Sequence, residues 1–276
     1  MHADLANSAG LALLSAYRSG PFALVRKAWV IAEWEARKMR HDATDLVTRA
    51  VQPLLWLVVF GETFSHIRAI PTGNVSYISF LAPGILAQSV LFISIFAGIA
   101  IIWERDLGVI HKFLASPTPR VSLVVGKGLA SGIRALPQAI VIYIVALLLG
   151  AHMQTNPLCV LGALIIAVLG AACFSTFSLI IACLLKTRDR VMGIGQVLTM
   201  PLFFASNAIY PITIMPHWLQ VIATINPLTY VVDALRTLML TNTTDYSSLF
   251  LDFGVLLGVT IVLVAIGAAL YPRIVQ

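Results

Sequence analysis

YISFLAPGILAQSVLFISIFAGIAII, Tyr77 to Ile102, carries no charged residue along its length and runs directly into WERDLGVIHKFLASPTPR, Trp103 to Arg120, where charge returns at once. A helix that crosses a bilayer needs about 20 apolar residues to cover roughly 30 Å of hydrocarbon. The first string is long enough to cross, and the second marks where it leaves. The rest of the chain is built alike: 59% of its 276 residues are hydrophobic and 11% charged, with a mean hydropathy of +0.92. Those values lie outside the range of water-soluble domains, so the fold class is an all-α membrane protein.

Six runs of spanning length are bounded by charge, Pro or Gly: Leu46 to Phe64, Tyr77 to Ile102, Val124 to Leu149, Leu158 to Leu185, Val191 to Tyr210 and Leu249 to Leu270. A seventh, Trp218 to Leu240, is interrupted by Asn226-Pro227 and contains Asp233 and Arg236. It reads as two half-helices. Lys and Arg are retained on the cytoplasmic side of short loops. Arg26, Arg37, Arg49, Arg105, Lys112, Arg120, Lys186, Arg188 and Arg273 all fall on one side of a six-span arrangement, which places both termini in the cytoplasm. The net charge of +6 is therefore topological. Its dispersal over four segments speaks against a nucleic-acid partner. Residues 1–20 offer no basic leader and no cleavage site, so no signal peptide is expected. Phe22 to Arg40 alternates apolar and basic residues at helical spacing and reads as an interfacial helix along the inner leaflet, or as a solvated cytoplasmic one.

Catalytic signatures are absent from the sequence. Gly126-Lys127 is followed by Gly128, with Val121 where a phosphate-binding loop needs its first glycine, and neither HExxH nor GxSxG occurs. Cys159, Cys173 and Cys183 share one apolar run without metal-ligand spacing. No cofactor, metal or catalytic residue is expected in this chain, and an enzyme is not.

Polar residues inside apolar runs are the better lead, since charge at mid-bilayer costs about 2.5–3.5 kcal/mol on insertion scales. Lys127, Ser131, Arg134 and Gln138 fall on one helical face, either lining a path or reaching the inner headgroups. Gln196, Thr199, Ser206 and Asn207 interrupt a run that also contains Pro201, as a moving wall or as interhelical contacts. Arg134, Gln138, Gln196, Thr199 and Asn207 are the candidate pathway residues. Asp233 and Arg236, three apart, can pair on one helix face. Gly128-Gly132 and Gly254-Gly258 match GxxxG, a weak sign of a dimer face.

LAPGILAQSVLF, WERDLGVIHKFLASPTPR and VVGKGLASGIRALPQ, followed by NPLTYVVDALR at Asn226 to Arg236, resemble the permease subunits of ABC type-2 exporters, the group of drug-resistance and nodulation-factor export permeases. The resemblance runs from about Ala28 to the C-terminus. It implies a cytoplasmic N-terminus with interfacial helix over 1–45 and a six-span transmembrane domain over 46–276. Within that domain it implies a coupling segment at 103–120 and a re-entrant segment at 211–241 with Asn226-Pro227 as its turn. Glu104, Arg105, Asp106, Gly108, Lys112, Phe113 and Leu114 would dock on an ATPase subunit, their charges unpaired and exposed for that contact. The implied assembly is a homodimer of permeases with two nucleotide-binding subunits that hold ATP and Mg, in a bacterial inner membrane. Its cargo would be an amphiphilic or hydrophobic drug, lipid or lipo-oligosaccharide. A secondary transporter needs coupling carboxylates inside spans, and Glu62 and Asp252 sit near span ends. A non-transporting scaffold or immunity protein is the remaining alternative.

Overall fold

The computed structural model describes residues 43–67, 75–107, 119–185, 187–240 and 246–274. The expected interfacial helix and most of the coupling segment, including Gly108, Lys112, Phe113 and Leu114, lie outside them. The described residues are helical almost throughout. Helix α1 covers Ala43–Leu55 and passes through a π-helical turn, Trp56–Phe60, into α2, Gly61–Ile67. The others are α3 Tyr77–Ile99, α4 Ile101–Asp106, α5 Arg120–Leu148, α6 Pro157–Leu184, α7 Arg188–Phe204, α8 His217–Ile225, α9 Pro227–Met239 and α10 Tyr246–Leu270.

Four helices among the described residues are long and apolar enough to cross a membrane: α3 continued through α4, α5, α6 and α10. The first and fifth expected spans take shape as helical segments that fall short of that length or hydropathy, since α1–α2 is apolar only over Ala50–Ser65 and α7 opens on Arg188, Asp189 and Arg190.

Local chemistry sets the helix starts. Ser76 accepts the Ser79 amide at 3.3 Å to cap α3, and Asn156, followed by Pro157 at the first helical position, accepts the Leu158 amide at 3.1 Å to cap α6. A short polar side chain supplies the acceptor that the first free amides lack, and proline there forfeits nothing.

Helix α3 is the centre of the molecule, with 78% of its most apolar window buried against 22% for α10. It packs on α5, α6, α7 and α9. Two glycines permit this. A Cβ on Gly84 would stand 2.1 Å from the Ala208 carbonyl oxygen, and one on Gly98 would stand 2.5 Å from that of Ser175. Gly128 and Gly132 are used the same way within the chain, against Ala172 and Val168 of α6, so this GxxxG pair serves an internal contact instead of a dimer face. Close backbone approach through small residues is how helices gain packing energy in lipid, where no hydrophobic force separates them from solvent.

Candidate functional site

Charged and polar groups gather at three levels along the bundle. At the end of α4, Lys127 of α5 donates to the Glu104 carboxylate, with side chains only 15% and 13% exposed. Two residues on, Asp106 accepts from Arg105 at 3.0 Å and from Arg188 at the start of α7. The expected unpaired charges at 104–106 are therefore paired within the chain. They still belong to the helix, whose neighbours α5 and α7 bring basic residues alongside them. Glu104 and Lys127 also line a cavity of about 270 Å³ together with Trp103, Ser131 and Arg134.

Higher in the bundle a second cavity of about 310 Å³ lies between α1, α3 and α5, lined by Gln52, Gln88, Ser89, Phe92, Phe96 and Gln138 among others. The polar stripe on α5 is thus divided: Lys127, Ser131 and Arg134 serve the lower cavity and Gln138 the upper one.

At the far end, the Arg236 guanidinium contacts the Asp233 carboxylate at 3.3 Å, donates to the Asn207 main-chain oxygen at 2.9 Å, and lies 3.9 Å from the centre of the Phe80 ring. Asn207 in turn donates through its amide nitrogen to Asp233. Asn226 accepts the Leu228 amide at 3.0 Å, capping α9, and donates to the Leu202 and Ala205 carbonyls at 2.7 and 3.0 Å. Pro227 disfavours helical backbone at the residue before it, and Asn226 is extended, with ψ at 118°. One side chain thereby closes the end of α7, the turn and the start of α9. Thr229 and Tyr230 add hydroxyl bonds back to Ala223 and Thr224, both at 2.7 Å.

The five pathway candidates do not form one wall within a single chain. Arg134 and Gln138 line separate cavities. Gln196 is exposed on α7, the buried Thr199 hydroxyl donates to Gly195 in its own helix at 2.6 Å, and Asn207 belongs to the far cluster. Asp252, read as lying near a span end, is buried in α10 at 6% exposure. Gln88 and Phe80 were not singled out in the sequence, and Arg188 was read there only as a marker of topology. Gln88 interrupts an apolar run just as Gln138 does, so the same criterion reaches it. The roles of Arg188 and Phe80 rest on partners 82 and 156 residues away, for which local sequence carries no signal.

A bundle of long apolar helices, with its few charged side chains gathered into clusters and cavities between the helices, defines a polytopic membrane protein. The ABC-2 type transporter family matches residues 26–240. Among similar proteins, transport permease ycf38 of Cyanophora paradoxa is 26% identical over 266 residues, 92% of this chain and 91% of that one. The daunorubicin resistance ABC transporter permease protein of Streptomyces coeruleorubidus is 26% identical over 242 residues, 87% and 83% of the two chains. Nodulation protein J of Rhizobium leguminosarum bv. viciae is 29% identical over 203 residues, 72% and 76%. The chain belongs to the ABC-2 type transporter family of membrane permeases, whose members are the transmembrane subunits of ABC transporters and not themselves enzymes.

Proposed function

We propose that this chain is the transmembrane subunit of an ATP-driven exporter that moves an amphiphilic or hydrophobic substrate out of the cytoplasm or the inner leaflet of a bacterial inner membrane. In this reading α1–α2 and α7 complete six spans, α8 and α9 form the re-entrant segment, and both termini are cytoplasmic. Two copies pair, each with a nucleotide-binding subunit that holds ATP and Mg. A relative named for daunorubicin resistance favours an amphiphilic cargo.

The observation that carries the reading is the placement of the Glu104 and Asp106 pairs. They tie the end of α4 to α5 and to α7 immediately before the segment 108–118. A force applied to that segment by a partner has two routes into the spans, through α5 and through α7. Lys112, Phe113 and Leu114 would supply the partner contact, apolar groups giving buried area and charge giving register. The test is ATP hydrolysis by the nucleotide-binding subunit co-purified with the chain, comparing wild type with Glu104→Ala and Lys112→Ala. Reduced coupling or assembly is expected in both; a complex indifferent to both substitutions would refute the docking assignment.

Burial of Asp252 favours a second reading, an ion-coupled transporter that needs no ATPase. It predicts that an imposed proton or sodium gradient drives transport by the chain alone and that Asp252→Asn abolishes it. ATP-dependent transport that survives Asp252→Asn removes this alternative.

A further inference from the structure

The cavity between α1, α3 and α5 has chemistry that the export reading does not use. Gln88 and Gln138 are 2% and 3% exposed, and the Gln88 side-chain oxygen and the Gln138 side-chain nitrogen are sealed from solvent without a hydrogen-bond partner. Unpaired buried amides are costly, and native structures keep few of them without a reason such as a ligand to be bound. The terminal torsion of glutamine is soft and broadly populated, so each amide can turn either its donor or its acceptor to the cavity. Gln88, Phe92 and Phe96 follow at four-residue spacing on α3 and form one stripe, placing aromatic surface directly beside the amides. Gln52 of α1 closes the opposite side and is exposed. The lining includes no charged residue, so an ion entering here would lose hydration with nothing to neutralise it. A volume of about 310 Å³ falls at the small end of the range for small-molecule sites.

We propose that this cavity binds the neutral, hydrogen-bonding end of an amphiphile, a group that donates and accepts at once such as a carboxamide, with the adjoining apolar part against Phe92 and Phe96. Only the identification of that amphiphile as cargo rests on the export reading. The ligand bridges α3 and α5 through the two glutamines and is approached from the Gln52 side. Selectivity against carboxylates and amines follows from the uncharged lining, and selectivity over plain hydrocarbon follows from the two amides.

The test uses the full chain in phosphatidylcholine nanodiscs without any ATPase and a diazirine-bearing fatty amide as photoprobe. Dodecanamide, dodecanoate, dodecylamine and dodecane serve as competitors, and labelled peptides are read by mass spectrometry. Saturable labelling of α3 near Phe92 and Phe96, displaced by dodecanamide at concentrations about tenfold lower than the other three require, is the expected result. This comparison is made on the wild-type chain, so it does not depend on a variant folding. In Gln88→Leu/Gln138→Leu the amide is expected to lose that advantage over dodecane. Equal displacement by dodecane or dodecanoate, or labelling that never saturates, overturns the site. Adding the ATPase subunit and ATP then separates the two sources of such a ligand: loss of label on hydrolysis supports cargo, and retention of a saturable label overturns cargo in favour of a resident lipid. Failed transport beside intact amide-selective binding counts against the export reading alone.

Discussion

The two ends of this bundle both hold ion pairs, yet they are constructed on opposite plans. At the end formed by α9 and the close of α7, Asp233, Arg236, Asn207 and Phe80 make a single connected cluster, and Asn226 seals the adjoining turn with three bonds. Every member is supported by at least one other. At the α4 end, Glu104–Lys127 and Asp106–Arg188 are separate pairs, the second with side chains 30% and 46% exposed. A buried charge that loses its partner destabilises strongly because nothing replaces it, whereas an exposed pair exchanges its partner for water. The far end thus joins its polar groups into one network, whereas the α4 end ties α4 to α5 and α7 through separate pairs, of which Glu104–Lys127 is the more buried and Asp106–Arg188 the more exposed.

The comparison breaks most visibly at Arg236. Arg236→Met should leave Asp233 without its counter-ion and the Asn207 carbonyl without its donor, lowering stability by about 3 kcal/mol, the low end for a buried pair because the Asp233 side chain is 40% exposed, read as a fall in melting temperature of the purified chain in one detergent. Arg236→Lys should recover only part of this, because a single ammonium cannot serve the carboxylate, the carbonyl and the Phe80 ring together. If Arg236→Met costs less than the same change at Lys127, the connected cluster is no stronger than a separate pair.

Gly84→Ala tests the same end through packing. The new methyl would meet the Ala208 carbonyl, a backbone group that cannot rotate aside, and a cost of about 3 kcal/mol is expected. Lys127→Met should cost about 2 kcal/mol, less than Arg236→Met because it breaks the Glu104 pair and not a joint contact with a carboxylate, a carbonyl and a ring. In a double-mutant cycle with Glu104→Gln the two losses should fall short of additive. The smallest effect belongs to Asp106→Asn, a slight fall in melting temperature that shrinks further at high salt. A large, salt-independent loss there would show that the α4 end is as tightly fixed as the other, and would remove the contrast.

The legible part of this molecule is the part encoded over short distances. Apolar run length identified the membrane class and reached the four long helices, together with two runs, Leu46 to Phe64 and Val191 to Tyr210, that form shorter ones, because crossing hydrocarbon imposes a length that a single run either meets or fails. Asn226-Pro227 announced its turn, because proline restricts the residue before it whatever the surroundings. Asp233 and Arg236 announced their pairing, because three residues make nearly one helical turn. The pairing of Lys127 with Glu104, of Arg188 with Asp106, and of Arg236 with Phe80 was not legible, and neither was the meeting of Gln88 with Gln138 around one cavity. Each depends on which face of one helix meets which face of another, and in a bundle whose helices are apolar nearly all round the hydrophobic pattern no longer selects a face. The sequence by itself determined a polytopic helical membrane protein and the local devices that start, break and cap its helices. Only the tertiary structure decided which polar groups became partners, since the small-residue notches at Gly84 and Gly98, and not hydrophobicity, choose how the helices dock.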